Sequence, residues 1–257
     1  MSRAAEIHLC ACRHVRPDGV ELARMLYLRE MGDGYGAFSG AAAIYADVLG
    51  ESGIQEYRRL AQAAFRKLPT RPRMKSYDSE RSRVLHMADY FAKLDGDLEA
   101  RIAIREAYQT SAWQVLQLAE FCFEHGREEE ALRRAEEGLW LFEDRPDERL
   151  YVFVARRLEE KGRNEEAVAH LMRAFDKVPS LSLYENLKAI AGATASDAAI
   201  GKLRSQFAAR RSTVGDSRSE LLIEILMEEE RYEESWSVLR ERGASARLAL
   251  RLAEKSE

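Results

Sequence analysis

Apolar residues recur along this chain every three or four positions, the spacing that lines one side of an α-helix. "VELARMLYLREM" sets Leu22, Met25, Leu26 and Met31 on one side, after a helix start at Pro17-Asp18-Gly19. "GAFSGAAAIYADVLG" does the same with Phe38, Ala41, Ile44, Tyr45 and Val48, and stops at Gly50. "IQEYRRLAQAAFRKLP" follows with Ile54, Tyr57, Leu60, Ala61, Ala64 and Leu68, and is stopped by Pro69. The N-terminal stretch reads as a helix too, with Ile7, Ala11 and Val15 as its apolar stripe. Strand-like alternation is scarce. The pattern predicts an all-α protein.

Two stretches interrupt it. "PTRPRMKSYDSERSR", Pro69 to Arg83, carries two prolines that remove backbone donors and push their predecessors out of the helical region. It is the expected linker, placed at 70–80, between an N-terminal helical segment (1–69) and the rest of the chain. "AGATASDAAIG", Ala191 to Gly201, is poor in large apolar groups and reads as a loop with a weak helix after it.

A repeat then shows itself. "GREEEALRRAEEGLWLFEDRP" from Gly126 and "GRNEEAVAHLMRAFDKVP" from Gly162 each place alanine five residues after the glycine (Ala131, Ala167) and a small residue twelve after it (Gly138, Ala174). A glycine suits the tight turn of a helical hairpin, and small side chains let the second helix pass close to its neighbours. Ala131 and Ala167 are 36 residues apart, and Ser235 lies 68 beyond Ala167 in a stretch with a turn expected near Glu230. Upstream, Val84, Met87, Ala88 and Phe91 precede a turn at Asp95-Gly96, followed by Ala100 and Ala107. A degenerate unit is expected at Gly201. The spacing gives about five hairpins over 81–243, and "ASARLALRLAEK" a capping helix within 244–257.

These units resemble the tetratricopeptide repeat, whose period is about 34 residues. The resemblance rests on Val154, Ala155, Leu158, Gly162, Ala167, Ala174 and Pro179, and on Leu118, Ala119, Cys122, Gly126, Ala131, Ala135 and Gly138 one unit earlier. It implies a right-handed superhelix of antiparallel hairpins, an α-solenoid. Alanine stands where the family's first helix has glycine, and its aromatic positions are only partly filled. The stretch "RPDGVELARMLYLREMGDGYGAFSGAAAIYADVLGESGIQEYRRLAQAAFRKLP", followed by these hairpins, also looks like an uncharacterised bacterial family. In that family such a region often lies C-terminal to a SWIM-type zinc finger. The finger needs Cys-x-Cys and later Cys-x-His. Here "HLCACRH" offers His8, Cys10, Cys12 and His14, which scatter around a helix, and Cys122 is separated from His125 by two residues, not one. No metal is expected.

Composition narrows the functions. Hydrophobic residues make up 46% and charged ones 33%, and 40 basic against 44 acidic side chains leave a net charge of −4, with no global pull towards nucleic acid or anionic lipid. The N-terminus lacks the apolar core of a signal peptide, no run is long and apolar enough for a membrane span, and three cysteines fit reduced thiols, so the expected place is the cytoplasm. "GDGYG" lacks a preceding strand, "GATASDAAIGK" lacks the phosphate-loop spacing, and Phe38 occupies the serine place of "GAFSG", whose Gly36 and Gly40 read as close-packing residues. The expectation is a non-enzymatic protein without cofactor.

A hairpin superhelix presents the first helices of its units on an inner wall, where a partner peptide or protein can lie. The stripes are Ser82, His86, Asp89 and Lys93; Trp113, Gln117, Glu120 and Glu124; Arg149, Phe153, Arg156 and Glu160. Trp113, Gln117, Glu120, Arg149, Phe153 and Arg156 are the candidate groove, aromatic anchors beside arginine. The aromatics could instead pack between hairpins. A separate patch, Arg71, Arg73, Lys75, Arg81 and Arg83 with Arg66 and Lys67, could attract an acidic partner or a nucleic-acid backbone, although a solvated linker is the plainer reading. The sequence therefore favours a scaffold or adaptor, with nucleic-acid association through 66–83 as the alternative.

Overall fold

The computed structural model describes residues 3–32, 34–68, 79–107, 109–208 and 217–256. Among these, every regular element is helical. The chain divides into two compact units, Met1–Gln114 and Val115–Glu257.

The first unit holds α1 (Arg3–Val15), α2 (Gly19–Gly32), α3 (Ala41–Ile44), α4 (Ala46–Lys67), α5 (Ser79–Leu94) and α6 (Leu98–Glu106). Helix α2 begins where the Asp18 carboxylate accepts the Glu21 N–H at 2.9 Å, satisfying one of the donors a helix start leaves open. It packs along α4, and α5 closes over both. Their core contains Leu22, Leu26, Tyr45, Leu49, Tyr57, Ala61, Met87 and Phe91. Helix α1 turns Ala5, Leu9 and Cys12 inward, not the stripe expected from the sequence: Ile7 is 66% and Val15 77% exposed. Both stripes have helical spacing; the inward one sets Leu9 and Cys12 in the core with Tyr45, whose hydroxyl donates to the Ala5 carbonyl at 2.9 Å. Gly36 and Gly40 also depart from expectation. They are left-handed turn residues, and the close approach occurs where Gly53 meets the Gly19 backbone.

A carboxylate lies inside this unit. Glu30 follows Leu22 and Leu26 at four-residue steps and is 1% exposed. Its carboxylate accepts the N–H groups of Gly40 at 2.7 Å and Ala41 at 3.3 Å, and the Tyr57 hydroxyl. A buried carboxylate is tolerated when donors surround it in this way.

Helix α7 (Ala112–Glu124) crosses into the second unit, which continues with α8 (Glu128–Leu141), α9 (Glu148–Glu160), α10 (Asn164–Lys177), α11 (Leu181–Ala208), α12 (Ser217–Glu228), α13 (Tyr232–Arg242) and α14 (Ala246–Lys255). Neighbours in sequence are neighbours in space: α8 packs on α9, α9 on α10, α10 on α11, α11 on α12 and α12 on α13. Helix α9 also touches α11.

The same turn joins four helix pairs, one of them α5–α6. The residue after the left-handed position donates to the carbonyl five residues back, and the left-handed residue to the carbonyl three back. These bonds run from Asp97 to Ala92 and Gly96 to Lys93, from Arg127 to Cys122 and Gly126 to Phe123, from Arg163 to Leu158 and Gly162 to Glu159, and from Arg231 to Leu226 and Glu230 to Met227. This is a Schellman closure, which satisfies the carbonyls that a helix end leaves open. The positive φ it requires is 68° at Gly96, 75° at Gly126, 73° at Gly162 and 57° at Glu230.

The remaining pair corrects the sequence reading. Residues 191–201 are not a loop: α11 is helical on both sides of Gly192, whose φ of 62° and ψ of −150° are open only to glycine. The second half of α11 buries Ala195, Ser196, Ala199, Ile200 and Leu203. Mostly small residues do the packing, so the apolar signal in the sequence is faint.

Ala131, Ala135, Ala167, Ala174 and Ser235 are all 0% exposed. A Cβ at Gly138 would come within 2.4 Å of a Val115 methyl, so α8 approaches α7 as closely as a bare backbone allows. At the end of the chain, Leu248 and Leu252 of α14 cover Ile223 and Met227 of α12. The Glu220 carboxylate of α12 accepts the Ser245 N–H at 2.6 Å, while Glu224 pairs with Arg251 at 3.1 Å and Glu228 with Lys255 at 2.9 Å. Among the described residues no helix is long and apolar enough to cross a membrane.

Candidate partner-binding surface

The turns set the register of this surface. Gly126 and Gly162 are 36 residues apart, so Gln117 corresponds to Phe153, Glu120 to Arg156 and Glu124 to Glu160. Taking Gly192 as the next turn carries the row to Asn186, and Glu230 carries it to Glu224. Gln117, Glu124, Arg156 and Glu160 are exposed; Glu120, Phe153 and Asn186 are half-buried. The opposite faces of α7 and α9 fill the core with Leu118, Ala119 and Cys122, and with Leu150, Val154, Ala155 and Leu158.

Phe153 packs between helices and keeps part of its ring uncovered. Its ring stands edge-on to Phe123 at 6.4 Å, linking α7 to α9. The Arg157 guanidinium lies 4.1 Å from the Phe123 ring centre and 5.6 Å from that of Phe153, a cation–π arrangement, and bonds Glu160 at 2.7 Å. The part of Phe153 left uncovered is an apolar spot bounded by charge. Arg156 reaches the Asn186 side-chain oxygen at 3.4 Å. Sequence reading missed Asn186 because it located no turn in the degenerate unit around Gly201; it missed Phe123 and Arg157 because they lie beside the stripe.

Arg149 is held differently. It binds Asp147 through Nε at 2.9 Å and Nη2 at 2.6 Å, while the same carboxylate caps α9 by accepting the Arg149 N–H at 3.1 Å. The guanidinium bonds hold the Asp147 carboxyl below its ordinary value against the opposing effect of burial. Burial raises the pKa of Glu120, the charge of Glu124 adds to the rise, and Arg149 counters it. Gln117 Nε2 donates to Glu120 at 3.4 Å. The surface thus offers carboxylates on α7, with guanidinium groups and a half-buried ring on α9.

Trp113, the sixth expected groove residue, is 42% exposed at the start of α7 and falls in the first unit. Of the first stripe, Asp89 is tied to Arg101 at 3.1 Å and to Arg105. The basic patch divides. Arg71, Arg73 and Lys75 lie outside the described residues. Arg81 is a correction: it is 3% exposed and donates to the Ala107 carbonyl at 2.8 Å, which pins α5 to the end of α6 instead of facing a partner. Arg83 is half-buried and reaches Ser79 at 3.5 Å.

In α1, Cys12 lies 3.7 Å from His8, and Cys10 lies 4.0 Å from His14 on another side of the helix. Among the described residues no three His, Cys, Asp or Glu side chains are grouped to hold a metal. No family model matches the chain, and no curated protein is significantly similar to it in sequence.

Proposed function

We propose that this chain is a right-handed superhelix of tetratricopeptide-like hairpins acting as a non-enzymatic scaffold, which takes a peptide or protein segment along Gln117, Glu120, Arg149, Phe153, Arg156 and Asn186. Recurrence supports the architecture: four Schellman turns, a glycine-only break in the remaining pair, and small buried residues at matched places. The contact of α9 with both α10 and α11 suits stacked hairpins. The single observation that carries the binding reading is Phe153, a half-buried ring in a row whose other side chains are polar or charged. An aromatic anchor beside arginine is the usual composition of an interface centre.

The test is affinity capture from the native cell with the wild-type chain and with Arg149→Glu/Arg156→Glu as paired baits. A partner held by the first and lost from the second supports the reading. Capture that is the same with both contradicts it.

A further inference from the structure

The row on α7 and α9 is not evenly charged, and the unevenness bears on the kind of chain that can lie there. Glu120 and Glu124 are four residues apart on one helix, so their side chains are neighbours. Among the described residues neither forms an ion pair within 4.0 Å, and the same is true of Arg156, whose hydrogen-bond partner is the neutral Asn186. The other cations nearby are already engaged: Arg157 by Glu160 and the two rings, Arg149 by Asp147. The upward shift at Glu120, caused first by burial and then by Glu124, marks a place where an added positive charge would relieve repulsion. A chain of one charge sign would meet repulsion from one helix or the other. A nucleic-acid backbone would meet it at the carboxylates.

We infer that the occupant is an extended segment with a basic side chain over Glu120 and Glu124, an acidic side chain over Arg156, and an apolar side chain between them on Phe153. This rests on the groove proposed for the scaffold. The Phe123–Phe153 contact places α7 and α9 side by side. Packed helices lie about 8–10 Å apart, and an extended chain advances about 3.3 Å per residue. The two charges of the segment are therefore about three residues apart. Reversed sequences differ in which helix each charge meets, so the row also fixes the direction in which the segment runs.

The experiment selects short random peptides from a display library on the full chain, in parallel on wild type, Arg156→Glu and Phe153→Ala. Synthetic copies of enriched peptides are then titrated by fluorescence anisotropy at low and moderate salt. Both substitutions fall on residues with solvent-facing surface, and melting curves verify that the variants are folded. Peptides enriched on wild type are expected to pair Lys or Arg with Asp or Glu two to four residues away, across an apolar residue. Arg156→Glu should weaken them about tenfold and enrich basic peptides instead, and added salt should weaken wild-type binding. Peptides of a single charge sign, or identical peptides on wild type and Arg156→Glu, that are lost on Phe153→Ala would overturn the charge register and leave the groove standing. No enrichment, or enrichment indifferent to Phe153→Ala, would remove both.

Discussion

The Tyr57 hydroxyl donates to the Glu30 carboxylate inside the first unit, joining α4 to α2 where neither side chain meets water. Burial and then the Glu30 charge push the Tyr57 pKa upward, so the phenol stays a donor. Glu30→Gln would turn an amide N–H₂ towards at least one of the three donors that converge there. The expected loss is about 2–4 kcal/mol for Glu30→Gln and about 1–2 kcal/mol for Tyr57→Phe, which leaves the carboxylate its two backbone donors. Urea unfolding of the full chain measures both. Equal or negligible losses would contradict the arrangement.

Glu230 takes the left-handed place that glycine fills in the other Schellman turns, with φ of 57°. A side chain in that conformation costs about 1–2 kcal/mol, and Glu230 is exposed. Glu230→Gly should therefore raise stability by about 1 kcal/mol, and Gly162→Ala should lower it by a similar amount. The chemical-denaturation midpoints of the two variants should move in opposite directions. If they move together, left-handed strain does not govern these turns.

The helices and most of the turns are legible in the sequence because glycine and a small residue five positions later carry a strong geometric demand. Two features are not. In α11 the break falls at Gly192 and the packing is done mostly by small groups such as Ala195, Ser196 and Ala199, so apolar periodicity vanishes although alanine favours the helix. In α1 both Ile7-Ala11-Val15 and Ala5-Leu9-Cys12 fit a helical face, and packing against the rest of the unit's core decides between them. The register of the row on α7 and α9 is readable wherever the turn is, so it reaches Arg156 and not Asn186. Glu30 could have been suspected from its place in register with Leu22 and Leu26.

Asp89 and His170 are among the groups that make stability depend on pH. Burial would raise the Asp89 pKa, but the bonds from Arg105 and Arg101 outweigh it and hold the carboxyl below its ordinary value. The unfolded chain, titrating near pH 3.9, then binds the proton first. The contribution of Asp89 is present above about pH 4 and is lost as pH falls through the lower folded value. For His170 burial lowers the pKa, so the unfolded state again binds the proton first and stability declines as pH drops below about 6.5. Melting temperature should fall from about pH 6.5 downward and more steeply below about pH 4. His170→Gln should flatten the upper part of the curve, and Asp89→Asn the lower. An unchanged profile in either variant would contradict the assignment.

Nesting of the paired helices depends above all on small residues at their contacts. Ala167 and Ala169 stand two positions apart on α10, the first 0% exposed and the second on the solvent side. Replacing each by leucine leaves helix propensity nearly unchanged, so packing alone separates the two variants. Equilibrium urea unfolding should show Ala167→Leu less stable by about 1–3 kcal/mol, with Ala169→Leu within about 0.5 kcal/mol of wild type. Equal stability of the two variants would contradict nested hairpins.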